Sequence, residues 1–348
     1  MTFYQELQLN QTGSKSLIKN EQNPKKKFRH IGVYLFKIFI TLAFCMAFVM
    51  FFSMVFGSEN SIVGVVVLLF VMVFRFADFG ICTRHSILAM IIIFAILTAG
   101  PRLTNMAGPF PALLINIGCI LLLMILGCHN VMMANHSTIV LGYLLLQGYD
   151  VTGTVYHQRI AAMILGGAIT CLVFYHTHRK ITYKRTMKDL FAEFTLSSTR
   201  TRWQLLLTLG IASILFLADL LNLPRAMWAG IAAMSVMLPF EQDMTERVKS
   251  RIPGNIIGGA IFVVLYFFLP KEIYAYIGII GGIGVGLSAT YCWQSVFNTF
   301  GALSIATSMF GLPAAVFLRI LNNAFGALYG LFFHKLFHLS ARRLEPEG

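Results

Sequence analysis

The apolar run from Ile31 to Phe56 is long enough to cross a bilayer, and it is the first of many. Such runs follow one another almost to the C-terminal end, separated by short turns. They restrict the fold more than any motif does. In a hydrocarbon layer each backbone N–H and C=O needs a partner within the chain, and a helix supplies all of them locally. Composition agrees: 57% of residues are hydrophobic and only 12% are charged, against about 25% charged in a soluble domain. No charged stretch is long enough to fold as a soluble domain of its own. The expected fold is an all-α polytopic membrane protein.

The formal charge of +13 would raise nucleic acid as a partner for a soluble chain. Here the positives gather in loops of one parity, the positive-inside pattern, and nucleic acid is not expected. Lys25, Lys26, Lys27 and Arg29 end a polar tail over 1–30, expected to be flexible and cytoplasmic. The first apolar run is too long for a cleavable signal peptide, and no small-x-small site follows it. Cys45, Cys82, Cys119, Cys128, Cys171 and Cys292 are scattered and include no CxxC pair, so they read as packed, reduced thiols.

Twelve spans are expected, at about 31–56, 61–75, 86–100, 110–128, 136–148, 158–177, 203–221, 226–240, 252–269, 273–289, 292–310 and 313–338. Gly100-Pro101 is expected to end the third and Gly108-Pro109 to open the fourth. The organisation is a tail over 1–30, a six-helix half over 31–178, a basic linker over 179–202, a second six-helix half over 203–338 and a tail over 339–348. The linker carries Arg179, Lys180, Lys184, Arg185, Lys188, Arg200 and Arg202, which place it and both chain ends in the cytoplasm. It includes an interfacial helix near Met187–Leu196. The two halves match in span order as pseudo-repeats, and inverted three-helix units are expected within them.

One short word recurs in this background. Arg251-Ile252 is followed by Gly254 and Gly258, Arg159-Ile160 by Gly166-Gly167, and Arg319-Ile320 by Gly326; Arg84 holds the corresponding place in the third span without the glycines. An arginine at a helix start adds positive charge to the positive end of the dipole. The guanidinium, the free N–H groups and the nearby glycines then make an anion site. A second reading stays open: Arg251 pairs with Glu241, Asp243 or Glu246 of its own loop, and Arg159 with Asp150. Small residues at Gly254-xxx-Gly258 and Gly326-xxx-Gly330 read as close helix packing.

Other polar residues within spans are costly in lipid and should face the bundle interior. Gln294, Ser295, Asn298 and Thr299 form such a stripe, with Asn322 and Asn323 in the last span and Asn135, His136, Ser137 and Thr138 as first-half counterparts. They line a pathway or join helices. Asp219, the one acid inside a span, and Glu241 are the candidates for proton coupling; Asp219 is equally a partner for Arg225. His176, His178, His334 and His338 read as interfacial. No HExxH, Walker or GxSxG motif is present, so an enzyme is not expected, nor is a cofactor or metal.

The segment Pro224-Arg225-x-x-Trp228, then Pro239, then Arg251-Ile252-x-Gly254-Asn255-x-x-Gly258 resembles the fusaric acid resistance and aromatic acid exporter superfamily, relatives of the plant aluminium-activated malate channels. Asn255 stands where that family usually has Thr. The resemblance implies six-helix units and an organic-anion route lined by Arg251. With the residue reading, it gives an inner-membrane exporter of small organic carboxylates, aromatic ones included. The substrate-binding candidates are Arg251, Arg159, Arg319, Arg84, Gln294, Asn298, Asn255 and Trp228. A passive organic-anion channel and a structural or lipid-handling membrane protein are the alternatives. The expected partners are the anion and membrane lipids, with a homo-oligomer left open.

Overall fold

The computed structural model describes residues 2–9, 11–238, 242–270 and 273–343, and every regular element among them is helical. A helix stands at each of the twelve segments: α3 (Pro24–Phe56), α4 (Ser61–Phe74), α5 (Thr83–Met106), α6 (Pro109–Gly127), α7 (His136–Gly148), α8 (Gly153–His178), α10 (Thr199–Leu220), α11 (Met227–Val236), α12 (Gln242–Phe268), α13 (Tyr274–Leu287), α14 (Tyr291–Phe310) and α15 (Leu312–Arg343). Three more, α1 (Phe3–Gln8), α2 (Gln11–Asn20) and α9 (Met187–Ala192), lie outside the apolar runs. Among the described residues seven helices are long and apolar enough to cross a membrane: α3, α5, α6, α8, α10, α12 and α15. The chain is a multi-pass membrane protein.

Several helices outrun their apolar stretches. α5 passes through Pro101 to Met106, where Gly100-Pro101 was expected to end it. Its last turn is tied down by neighbours: Arg102 Nη1 lies 2.7 Å from Asp150 Oδ2, and Asn105 Nδ2 donates to the Gln147 carbonyl. α12 likewise begins at Gln242 and passes through Pro253. Gln242, Met244, Glu246, Arg247 and Lys249 are good helix formers and no glycine or proline intervenes before Arg251, so the polar segment continues the helix instead of breaking it.

Contacts divide the chain into two compact units. The first comprises residues 1–48 and 253–316, the second 49–252 and 317–348. In the first, α13 packs on α14. Tyr34 Oη donates to the Gly286 carbonyl at 2.8 Å, Lys15 Nζ to the Ser288 carbonyl at 2.6 Å, and Lys37 Nζ to the Leu9 carbonyl. The N-terminal tail, expected to be flexible, is therefore folded. α1 is joined to α3 through buried Glu6, whose carboxylate lies 2.8 Å from His30 Nδ1 and 3.6 Å from Arg29.

In the second unit α4, α5, α7 and α8 pack together, α6 joins α5 and α10, and α7 pairs with α11. This last pair is short. At 1.5 Å per residue α7 spans roughly 20 Å and α11 roughly 15 Å, well under the ~30 Å of a hydrocarbon core. The two run antiparallel. Gly148 at the end of α7 leaves no room for a Cβ beside Met227 at the start of α11, and Gly230 meets Leu144 one turn deeper. Two arginines meet the end of α7: Arg159 donates to the Tyr149 carbonyl and Arg225 to the Gly148 carbonyl.

Candidate functional site

Arg159, Arg251 and Arg319 are 3%, 9% and 8% exposed. None stands at a helix start. Arg159 lies six residues after Gly153, Arg251 nine after Gln242 and Arg319 seven after Leu312. Their own peptide N–H groups are inside the helical ladder, so the expected anion site of free N–H groups and helix dipole is not formed. What remains is the guanidinium and its side-chain surroundings, and these differ among the three.

Arg159 is fully engaged by neutral acceptors. Its Nε donates to Asn60 Oδ1 at 3.0 Å, Nη1 to the Tyr149 carbonyl at 2.7 Å and Nη2 to the Glu59 carbonyl at 3.3 Å. Asp150, its expected partner, pairs with Arg102 instead. Arg159 thus ties the turn before α4 to the end of α7. Gly166, two turns further along α8, seats that helix against Val67 of α4.

Arg319 has a different setting. Its guanidinium carbon lies 5.1 Å from the ring centre of Trp228, itself buried at the start of α11. Among the described residues its Nε has no hydrogen-bond partner. Asn323 links Arg319 to Arg251: Arg251 Nε donates to Asn323 Oδ1 at 3.2 Å, and Asn323 Nδ2 donates to the Arg319 carbonyl. Glu246, one proposed partner of Arg251, lies 3.7 Å from Lys249. Asn322 donates to the Pro224 carbonyl at 3.1 Å, while its Oδ1 is buried without a partner. A bound anion would supply the acceptor that the buried Arg319 Nε lacks among the described residues.

Tyr149 joins these groups to the surface. Arg225 lies over its ring at 4.7 Å and donates to the Gly148 carbonyl at 3.2 Å. That contact is made from a left-handed backbone conformation, φ 61°, which is uncommon for an arginine. Tyr149 also lines an open cleft of about 470 Å³ with Glu59, Asp150, Val151, Thr152 and Val155. Arg225, Tyr149, Trp228, Arg319 and Arg251 therefore form one connected cationic and aromatic cluster beginning at that cleft. Sequence reasoning undervalued Arg225 and passed over Tyr149 and Asn60. The signal for Tyr149 was its place directly after a helix too short to span.

The remaining candidates lie elsewhere. Arg84 is exposed in the first turn of α5, where Thr83 donates to the His178 carbonyl. That is the opposite end of α8 from Arg159, about 28 Å away at 1.5 Å per residue. Asn255, Gln294 and Asn298 belong to the first unit. Asn255 accepts from Thr299 Oγ1 at 3.0 Å, and Gly254 and Gly258 bring α12 against Ser295, Val296 and Thr299. The Ser295–Thr299 edge of the stripe joins helices, whereas Asn298 is exposed and Gln294 half-buried. Asp219 is exposed in the last turn of α10, and Glu241 lies outside the described residues. Among the described residues no group of acids, histidines and cysteines could hold a metal ion.

Comparison with curated proteins and with solved structures gives no match. Residues 211–333, which hold Arg225, Trp228, Arg251 and Arg319, match the family model for fusaric acid resistance protein-like proteins.

Proposed function

We propose that this protein is a membrane transporter that exports small organic carboxylates, aromatic ones among them, along a route marked by Arg225, Arg319 and Arg251. The family match supports a transport or resistance function, and its members are transporters rather than enzymes. The observation that carries the substrate class is Arg319: nine-tenths buried, one N–H without an acceptor among the described residues, an indole against its face, and a second arginine linked to it through Asn323. A carboxylate supplies the missing acceptor and charge, and an aromatic acid also adds a ring to the Trp228 and Tyr149 surfaces.

The reading includes two six-helix halves. Its support is the way the Arg-to-Gly word is used twice. Arg159 of α8 holds the residue before α4, and Gly166 seats α8 on α4. Arg319 of α15 contacts Trp228 of α11, and Gly326 seats α15 on Ala229 and Ala232 of α11. In each half the glycine seven residues after the arginine seats the sixth helix on the second, while the arginines' own contacts differ.

The test is benzoate flux in proteoliposomes. Wild type is expected to release preloaded benzoate, and R319Q to lose at least tenfold in rate while still eluting as a folded protein. Unchanged flux in R319Q, or none in wild type, overturns the reading. A current whose reversal potential follows benzoate alone and ignores pH would identify a channel in place of an exporter.

A further inference from the structure

The α7–α11 pair has a second end, and it too is cationic and aromatic. At the start of α7, His136 is 4% exposed, and its Nδ1 is buried with no hydrogen-bond partner among the described residues. Trp203 of α10 meets the imidazole edge-on, with ring centres 5.0 Å apart and planes at 86°. Trp203 is fixed in turn, since its Nε1 donates to the Met237 carbonyl beyond the end of α11 at 3.1 Å. Arg247 of α12 reaches the same end of α11 as Trp203, donating to the Ser235 carbonyl at 3.4 Å, two residues before the Met237 carbonyl that Trp203 holds. Arg247 stands four residues before Arg251, so both project from one face of α12, about 6 Å apart along the axis.

The parallel with the Tyr149 end is close. There a tryptophan, an arginine and an orphan buried N–H meet at the start of α11. Here a tryptophan, an arginine and an orphan buried ring nitrogen meet where α7 starts and α11 ends. The two ends are separated by the length of α7, roughly 20 Å, with Arg251 between them. A conventional packing role would give His136 a carbonyl or hydroxyl partner, as buried polar groups almost always have one. An aromatic wall, a cation and a vacant hydrogen-bonding nitrogen suit a carboxylate instead, provided the imidazole presents its N–H at Nδ1.

We propose that His136, Arg247 and Trp203 form a second carboxylate-binding station, at the opposite end of the α7–α11 pair from Arg319. It rests on the transport reading above and adds where the anion sits on the linker side of the bundle. An anion held there is one helix turn from Arg251, which passes it to the Arg319 end. Two stations joined by an intermediate arginine let an anion leave one site as it is attracted to the next, the condition for throughput in a charged route.

The test uses Trp203 as a local reporter. In W228F/W293F, which keeps Trp203 as the only tryptophan, benzoate is titrated and Trp203 emission recorded, with chloride at equal ionic strength as control. A saturable change with benzoate is expected. R247Q should weaken the apparent affinity at least tenfold, R247K less, and H136F should remove the change, with each variant verified as folded by its elution profile. A response absent in the parent, equally produced by chloride, or unaltered in R247Q and H136F overturns the proposal. Loss of benzoate flux in R319Q would still uphold the transport reading in those cases. If R319Q retained flux while Trp203 responded as described, the carboxylate station would stand and the Arg319 route would fall.

Discussion

At the scale of single residues, three arginines that look alike in sequence divide into two kinds. Arg159 is saturated by Asn60, Tyr149 and Glu59. Replacing it with Ala strands the buried Asn60 Oδ1, at about 1–3 kcal/mol, and leaves two part-buried carbonyls, of Tyr149 and Glu59, to water. R159A should therefore lower the thermal midpoint of the detergent-solubilised protein sharply. Arg319 has an unmet donor among the described residues, and removing such a charge is often neutral or stabilising. R319Q should leave that midpoint unchanged or raise it while lowering flux. A stability loss in R319Q as large as that in R159A would mark both as structural. The sequence made all three visible as buried charges, because an arginine in an apolar run is legible at any spacing. It did not show what each one touches. Asn60 lies 99 residues from Arg159 and Trp228 lies 91 from Arg319, and no local pattern encodes those meetings. The dipole argument failed for a related reason: apolarity marks where a helix meets lipid, whereas the backbone turns helical earlier.

At the scale of elements, glycines and the linker show how contact decides the meaning of a residue. A Cβ on Gly258 would lie 2.6 Å from the Val296 carbonyl oxygen and 3.0 Å from Thr299, whereas one on Gly301 would meet nothing within 4 Å. G258A should cost about 1–3 kcal/mol through forced backbone movement, and G301A should be neutral or stabilising by up to ~1 kcal/mol. Thermal melts of the two variants compare them directly, and equal effects would contradict the crossing. The linker helix α9 is held by Glu193, which meets Arg185 at 2.9 Å and both Arg200 and His129 at 3.4 Å. Burial first, then the Arg200 charge, push the His129 pKa below its usual 6.5, with Glu193 offsetting part of this. Burial opposes ionisation of Glu193 as well, but the Arg185 hydrogen bond and the surrounding positive charges win, and its pKa falls below 4.5. Both pKa values are depressed on folding. The stability they give is thus present above the unfolded values and is lost as pH falls, from about 6.5 downward for His129 and below 4.5 for Glu193. Amide exchange over Met187–Ala192, corrected for intrinsic rates, should be faster at about pH 5.5 than at about pH 7.5, and H129Q should abolish that difference. The expected interfacial helix near Met187–Leu196 is present as the shorter α9, capped by Thr186 and Asp189, with Leu190 buried. The sequence did not disclose the clamp, because His129 comes from the loop after α6, 64 residues before Glu193.

At the scale of the whole molecule, hydropathy and turn residues revealed where the helices are, since both act over a few neighbouring residues. Which helices pair, and the folding of the first thirty residues onto α3, depend on contacts between distant parts of the chain and were not readable. Within the second unit the loops nevertheless separate into two groups. The turns near Asn60, Tyr149 and Arg225 meet around the arginine cluster, while those near Asp78, His129 and Tyr183 meet the linker: Tyr183 Oη donates to Asp78 Oδ2 at 2.9 Å, and Cys82 N to the Arg185 carbonyl at 2.8 Å. The basic linker should therefore face the cytoplasm and the arginine cluster the other side. This orientation predicts a labelling pattern. In a background lacking the six native cysteines, a cysteine at Ser58 or at Thr152 should react with an impermeant maleimide added to intact cells, because both positions are exposed in the first group of loops. One at Ser197, exposed in the linker, should react only after the membrane is opened. Labelling of all three from outside would contradict the separation of the loops. An exchange of the two sides would preserve the bundle and reverse the direction in which Arg247 and Arg319 meet a departing anion. The inner station would then be the one at Trp228, and export would begin at the cleft beside Tyr149.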